Sequence, residues 1–191
     1  MIVLTGSIAT GKSSTCKLLS ESGYEIVDAD LIAKELIDTK TIENLFGKSF
    51  IKDGDIDRVA LGELIFNNLK EREKLNEYIH PLIRNEIYKR AKILEEKNSK
   101  YIVDIPLYFE SGHYKSDLVC VVYCPKKEQL KRLAQRENLN KEEAEKRVKS
   151  QMDIEEKKRK ADYVIDNSKD KENLLRQTNK FIRYLDANFK I

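Results

Sequence analysis

A three-layer α/β sandwich on a five-stranded parallel sheet is the fold this sequence predicts, and three observations carry it. Five short apolar runs, Met1–Leu4, Tyr24–Val27, Tyr101–Ile105, Leu118–Tyr123 and Tyr163–Ile165, alternate with stretches whose apolar spacing is helical. That alternation is the pattern of parallel strands joined by right-handed helical crossovers. Leu118–Tyr123 is apolar almost without a break, as a strand covered on both faces must be. Between the first run and the first helix lies Gly6-Ser7-Ile8-Ala9-Thr10-Gly11-Lys12-Ser13. It fits G-x-x-x-x-G-K-[ST] in the strand–loop–helix context that gives the pattern meaning.

The loop has a chemistry of its own. Glycine at positions 6 and 11 permits backbone angles and a close approach that a Cβ would obstruct. Successive amide N–H groups then form a nest at a helix N-terminus, which suits a polyphosphate. Lys12 is placed to reach the β- and γ-phosphates, and the Ser13 hydroxyl to ligate Mg²⁺. The expected ligand is a nucleoside triphosphate.

The 191 residues suffice for one domain with an inserted subdomain. A net charge of +3 favours anionic ligands without the strongly basic patch of a nucleic-acid-binding domain. Cys16, Cys120 and Cys124 are odd in number and form no C-x-x-C pair, so buried thiols in a reducing cytosol are expected, not disulfides or a metal site. The N-terminus enters the first strand directly, which leaves no room for a signal peptide, and no apolar run reaches the ~18 residues of a membrane span.

Taken in order, the first helix, Lys12–Ser22, carries Cys16, Leu18 and Leu19 at helical spacing and ends at Gly23. The second strand delivers Asp28-Ala29-Asp30 at its carboxyl end, where ligands of open parallel sheets sit. A carboxylate there accepts a hydroxyl proton, holds metal through water, or caps the helix Leu31–Ile37, with Asp28 the better cap. Residues 38–100 read as a helical excursion with no strand, the size of a second-substrate pocket. Within it Thr41–Phe46 stops at Gly47, Asp53-Gly54 is a turn, and Asp57 caps Arg58–Phe66. A further helix runs to Ile79 and is broken by His80-Pro81, with Pro81 opening the next one.

The third strand ends in Asp104, either an Mg²⁺-linked carboxylate or a plain strand-end acceptor, and Pro106 terminates it. Residues 126–160 are helical and charge-dense, with 13 Lys and Arg against 8 Asp and Glu, a net +5 that leaves −2 for the rest of the chain. Most such charges solvate a helix face. Arg132, Arg136 and Arg147 flank the Glu137–Glu145 connection, where a mobile lid could lower guanidinium groups onto transferring phosphates. After the fifth strand, Leu174, Leu175, Phe181, Ile182, Leu185 and Phe189 place one face of a closing helix against the sheet.

The ordered set of these segments resembles the dephospho-coenzyme A kinase family of P-loop NTPases over nearly the whole chain. The resemblance rests on Leu4–Ser14, Ile26-Val27-Asp28-Ala29-Asp30, Asp53-Gly54-x-Ile56-Asp57-Arg58 and His80-Pro81-x-Ile83. It extends through Asp104-Ile105-Pro106-Leu107-Tyr108-Phe109-Glu110, Arg132-Leu133-x-x-Arg136, Glu143-Ala144-x-x-Arg147, Gln151 and Ala161-Asp162-x-Val164-Ile165-x-Asn167. It implies ATP-dependent phosphorylation of the ribose 3′-hydroxyl of dephospho-coenzyme A, in a cytoplasmic and monomeric enzyme. It also implies a core (about 1–37, 100–125 and 161–191), a helical acceptor-binding insertion (about 38–99) and a lid (about 126–160). On this resemblance Asp30 orients or deprotonates the hydroxyl, and Arg58 and His80 lie toward the acceptor. Gly6, Ile8, Ala9, Thr10, Gly11, Lys12, Ser13 and Ser14 hold ATP, with Asn167 near adenine. Arg136 and Arg147 stabilise the transferring group, and Ser13 and Asp104 serve Mg²⁺.

This chain departs from the family loop G-G-I-G-S-G-K at Ser7 and Ala9, and from a later family glycine at Lys169. Two rival functions fit the sequence less well. A nucleoside monophosphate kinase has an acceptor phosphate that is already nucleophilic, so it has less need of a carboxylate such as Asp30. A nucleotide switch carries D-x-x-G and N-K-x-D, and here the first is missing while the closest match to the second, Asn140-Lys141-Glu142-Glu143, ends in Glu. No aromatic residue lies between Lys126 and Lys160 to stack bases, which argues against nucleic acid.

Overall fold

The computed structural model describes residues 1–189. In chain order the elements begin with β1 (Ile2–Gly6), α1 (Lys12–Glu21), β2 (Glu25–Asp28), α2 (Ala29–Leu36) and α3 (Thr39–Phe46). A 3-10 turn at Lys48–Phe50 leads to β3 (Ile51–Lys52), β4 (Asp55–Ile56), α4 (Arg58–Asn67) and α5 (Leu69–Glu96). Then come β5 (Tyr101–Asp104), α6 (Tyr108–Ser111), β6 (Leu118–Tyr123), α7 (Lys126–Glu137), α8 (Lys141–Lys149), α9 (Ile154–Lys160), β7 (Tyr163–Asp166) and α10 (Lys171–Asn188). The chain divides into two compact units, one of Met1–Asp28 and the residues from Arg90 onward, the other of Ala29–Lys89.

The first unit holds a five-stranded parallel sheet in the order β2-β5-β1-β6-β7. Central β1 is buried along its whole length, as is β6, which is why both read as unbroken apolar runs. One core face is formed by Leu4, Leu19, Ile102, Cys120, Val122, Ile165, Leu174, Phe181 and Leu185. Tyr163 lays its ring on Phe181 at a centroid separation of 4.8 Å. On α10 the buried positions are Asn173, Leu174, Thr178, Phe181 and Leu185. Leu175 is 45% exposed and does not face the sheet as expected. Its place on the helix falls to Thr178, whose hydroxyl donates to Leu174 O at 2.9 Å and so needs no water. The parallel register sets Asp28 of β2 opposite Asp104 of β5, both at carboxyl strand ends.

The second unit packs around Ile42, Ile56, Leu61 and Leu75. Asp57 caps α4 by accepting from Val59 N and Ala60 N at 3.2 and 3.0 Å. Two expectations fail in this unit. The stretch read as strandless contains the antiparallel pair β3–β4, with Asp53 at φ 53° and Gly54 at φ 84° between its strands. That is the Asp-Gly hairpin geometry, and at two residues per strand no alternation exists to be read. His80-Pro81 does not break the helix, since α5 runs through Pro81. Leu75, Ile79, Ile83, Ile87 and Ala91 are all buried at a constant spacing of four. Burial of that stripe outweighs the roughly 3 kcal/mol that an interior proline costs.

Candidate active site

The phosphate loop grows out of β1. Thr10 closes it by donating its amide and hydroxyl to Ser7 O at 3.2 and 2.8 Å. A Cβ on Gly6 would lie 2.9 Å from Val122 O and 2.8 Å from Thr10 Oγ1, so only glycine fits at the loop's entry. Gly11 takes φ +96°, and a Cβ there would strike the Asn167 side chain. As N-cap of α1, Gly11 offers no side-chain acceptor, and the first turn holds no acidic residue. The helix therefore presents uncapped amides and the positive end of its dipole to the loop. Ala9 adopts φ 61°, a left-handed angle that costs an alanine about 1–2 kcal/mol. The family's glycine at this position is thereby explained, whereas Ser7 takes no positive φ.

Lys12 lies 2.5 Å from both carboxylate oxygens of buried Asp104, which joins the two sequence-predicted site residues directly. Burial pushes the Asp104 acid above the ordinary carboxylate range and Asp28 adds to the push, while the Lys12 ammonium opposes both. The Cys16 thiol donates to Asp104 Oδ2 at 3.4 Å. Burial and the Asp104 charge hold that thiol protonated far above neutrality.

Several loop contacts come from residues that the sequence passed over, Gln129 and Lys157, or placed elsewhere, Gln151, Arg132 and Asn167. Ile8 is gripped at both ends of its backbone. Its amide donates to Gln151 Oε1 at 2.7 Å, and its carbonyl accepts from buried Gln129 Nε2 at 2.9 Å. The Ile8 amide is thus committed, which leaves the later loop amides for an anion. Asn167 is buried and spends its Nδ2 on Thr10 O at 2.8 Å, so it props the loop from behind, and Arg132 donates to Asn167 O at 2.9 Å. Lys157, with no exposed surface, donates to Gly6 O and Pro106 O at 3.3 and 3.2 Å and pairs with Glu110 at 2.8 Å. Its helical spacing from Ile154 and Ala161 puts it on the apolar face of α9, the one signal the sequence held for it.

Arg136 and Arg147 are exposed. Both donate to Glu137, Arg136 at 2.5 Å, and that contact keeps the Glu137 carboxyl below the usual range. The expected Glu137–Glu145 connection is mostly helix. Asn140 and Glu143 form a reciprocal capping box that starts α8 at Lys141. Asp30, Arg58 and His80 belong to the second unit, in the first turn of α2, at the start of α4 and within α5. Ser13 and Ser14 are exposed in the first turn of α1. His113 is exposed, and Cys16, Cys120 and Cys124 are free thiols. A concavity of about 530 Å³ opens at the opposite, amino ends of the strands, lined by Met1, Ile2, Tyr101 and Asp117. It contains no residue of the loop.

A glycine-lined loop, a lysine at its rim and an uncapped helix at the carboxyl ends of parallel strands define a P-loop kinase. The family model for dephospho-CoA kinase matches residues 1–173. A dephospho-CoA kinase of Sulfurimonas denitrificans is 42% identical, across 98% of this chain and 95% of its own. Among solved structures, dephospho-CoA kinase from Campylobacter jejuni superposes with a TM-score of 0.76 at 36% identity, covering 97% of this chain and 96% of that one. A Thermus thermophilus protein reaches 0.83 at 30% identity, covering 96% and 95%. The chain belongs to the dephospho-CoA kinase family. No helix among the described residues is long and apolar enough to cross a membrane.

Proposed function

We propose that this chain transfers the γ-phosphoryl group of Mg·ATP to the ribose 3′-hydroxyl of dephospho-CoA, giving CoA and ADP, as a monomer in the cytoplasm. The observation that carries the phosphate half of the reading is Lys12 beside the uncapped start of α1, with the loop braced from behind. The names of the relatives support the acceptor. In this reading the amides of Ala9 and of Gly11 to Ser14 cradle the phosphates, and Lys12 turns from Asp104 to the β- and γ-oxygens. Residues 38–99 form the acceptor-binding insertion, with Arg58 and His80 toward dephospho-CoA, and residues 126–160 form the lid.

The 3′-oxygen forms its bond to the γ-phosphorus as the bond to the β–γ bridging oxygen breaks. ADP leaves, and the hydroxyl proton passes to Asp30. Arg136 and Arg147 leave Glu137 to meet the charge on the transferring group. The donor chemistry fits Mg²⁺. Ser13, Asp104 and Asp28 offer hard oxygen ligands, and no cluster of three His, Cys, Asp or Glu occurs among the described residues. That sparse set suits an ion held largely by its phosphates and waters. Bound there, Mg²⁺ neutralises phosphate charge.

The test is ADP release from Mg·ATP with dephospho-CoA, adenosine or AMP as acceptor. Release that requires dephospho-CoA and yields CoA is expected. Release driven by AMP would move the chain to the nucleotide kinases, and release with none of the three would end the reading.

A further inference from the structure

We infer that Lys157 is a positioning residue of the phosphate loop, holding the loop's entry at Gly6 to the segment after Asp104 and thereby setting the Lys12–Asp104 geometry. The inference rests on the nucleotide-binding reading above. Lys157 touches no reacting group; it acts through the two segments it joins.

The β1–β5 ladder ends where Ile105 N donates to Leu4 O at 3.1 Å. Beyond that rung Pro106 offers no N–H. Gly6 O and Pro106 O are both acceptors, and the Thr5 hydroxyl donates to Pro106 O at 3.1 Å. The Lys157 ammonium supplies the missing donors. Its three N–H groups match three partners, Gly6 O, Pro106 O and Glu110 Oε1.

Anchoring α9 does not require this charge, because Ile154 already packs with Val121 and Tyr123. Burying an ammonium costs several kcal/mol unless it is paired and fully hydrogen-bonded. What it achieves here, and an apolar side chain cannot, is to hold two carbonyls from separate segments at one point. Lys12 lies six residues after the first of them, and Asp104 two residues before the second. Glu110 orients the ammonium and also accepts from Met152 N at 3.0 Å, which ties in the residue after Gln151.

The test compares the full-length chain with Lys157→Met and with the double variant Glu110→Gln, Lys157→Met. ATP and dephospho-CoA affinities are measured by calorimetry well below each thermal midpoint, so that only folded protein is read. The single variant is expected to bind ATP about tenfold more weakly, or worse, with dephospho-CoA affinity unchanged. Removing both charges is expected to restore thermal stability relative to the single variant, as loss of a complete buried pair allows. ATP affinity should stay low. A folded variant that binds ATP like the parent would overturn the inference. So would a double variant that regains stability and affinity together, or a failure of both variants to fold, since each makes Lys157 a structural brace only. Failure of the parent chain to bind ATP would appear before any substitution and would remove the nucleotide reading itself.

Discussion

Lys157 and Arg147 lie ten residues apart in one charge-dense stretch and have opposite fates. Lys157 is sealed under the phosphate loop with every donor used. Arg147 stands in solvent and shares Glu137 with Arg136. The first charge is fixed before any ligand arrives and needs no reorganisation during reaction. The second is held by solvent-exposed pairs that are screened by water and weaken with salt, so it is easy to redirect. The same residue chemistry thus provides a rigid brace beneath the phosphate loop and exposed guanidinium groups held only by weak pairs.

The strongest challenge to this contrast is Lys12→Ala. It should abolish measurable ATP binding and lower kcat/KM by about 10³-fold or more, because it removes the cation that the rigid side presents. Parental values for both would undo the loop assignment. Asp30→Asn comes next, with turnover down about 10²- to 10⁴-fold and ATP affinity intact; unchanged turnover in a steady-state assay would take Asp30 out of the chemistry.

On the exposed side, Arg147→Ala and Arg136→Ala should each lower kcat by about 10²-fold while leaving ATP affinity and the thermal midpoint near parental. A loss of ATP affinity as large as that of Lys157→Met would erase the distinction. Smaller effects sharpen it. Tyr123 donates to Glu155 at 2.6 Å and so ties β6 to α9, and chiefly that hydrogen bond raises its phenol from 10.0 to about 12. A folded-state pKa above the unfolded one gives stability that is complete below pH 10 and is lost as pH approaches 12. Tyr123→Phe should therefore be less stable than the parent by about 1 kcal/mol at pH 8, a gap that closes in denaturant titrations at rising pH. Last, Ala9→Gly should stabilise by about 0.5 kcal/mol, as relief of the left-handed strain is partly offset by the entropy of the added glycine.

What the sequence made legible were features with a local period or a fixed spacing. The five strands announce themselves because each is a run of apolar side chains, and Gly6, Gly11, Lys12 and Asp104 because strand ends and loop spacing place them. What stayed hidden depends on tertiary accounting. Only its helical spacing from Ile154 and Ala161 separates Lys157 from its exposed neighbour Lys158. Gln129 and Gln151 matter through the carbonyl and the amide of one residue, Ile8, more than a hundred positions away. Arg132 and Asn167 brace the loop through hydrogen bonds invisible to composition. Pro81 misled because a local rule met a buried stripe that extends past it on both sides.

The order of the sheet also bears on how the chain is made. Central β1 precedes its partners β5 and β6 by about a hundred residues. At ribosomal rates of roughly 5–20 residues per second, a strand that ends up wholly buried waits about 5–20 s for a neighbour. Until then Ile2, Val3 and Leu4 have only transient cover, and closing so long a loop is slow. The nascent chain therefore carries an apolar strand without its final neighbours for about half of its synthesis.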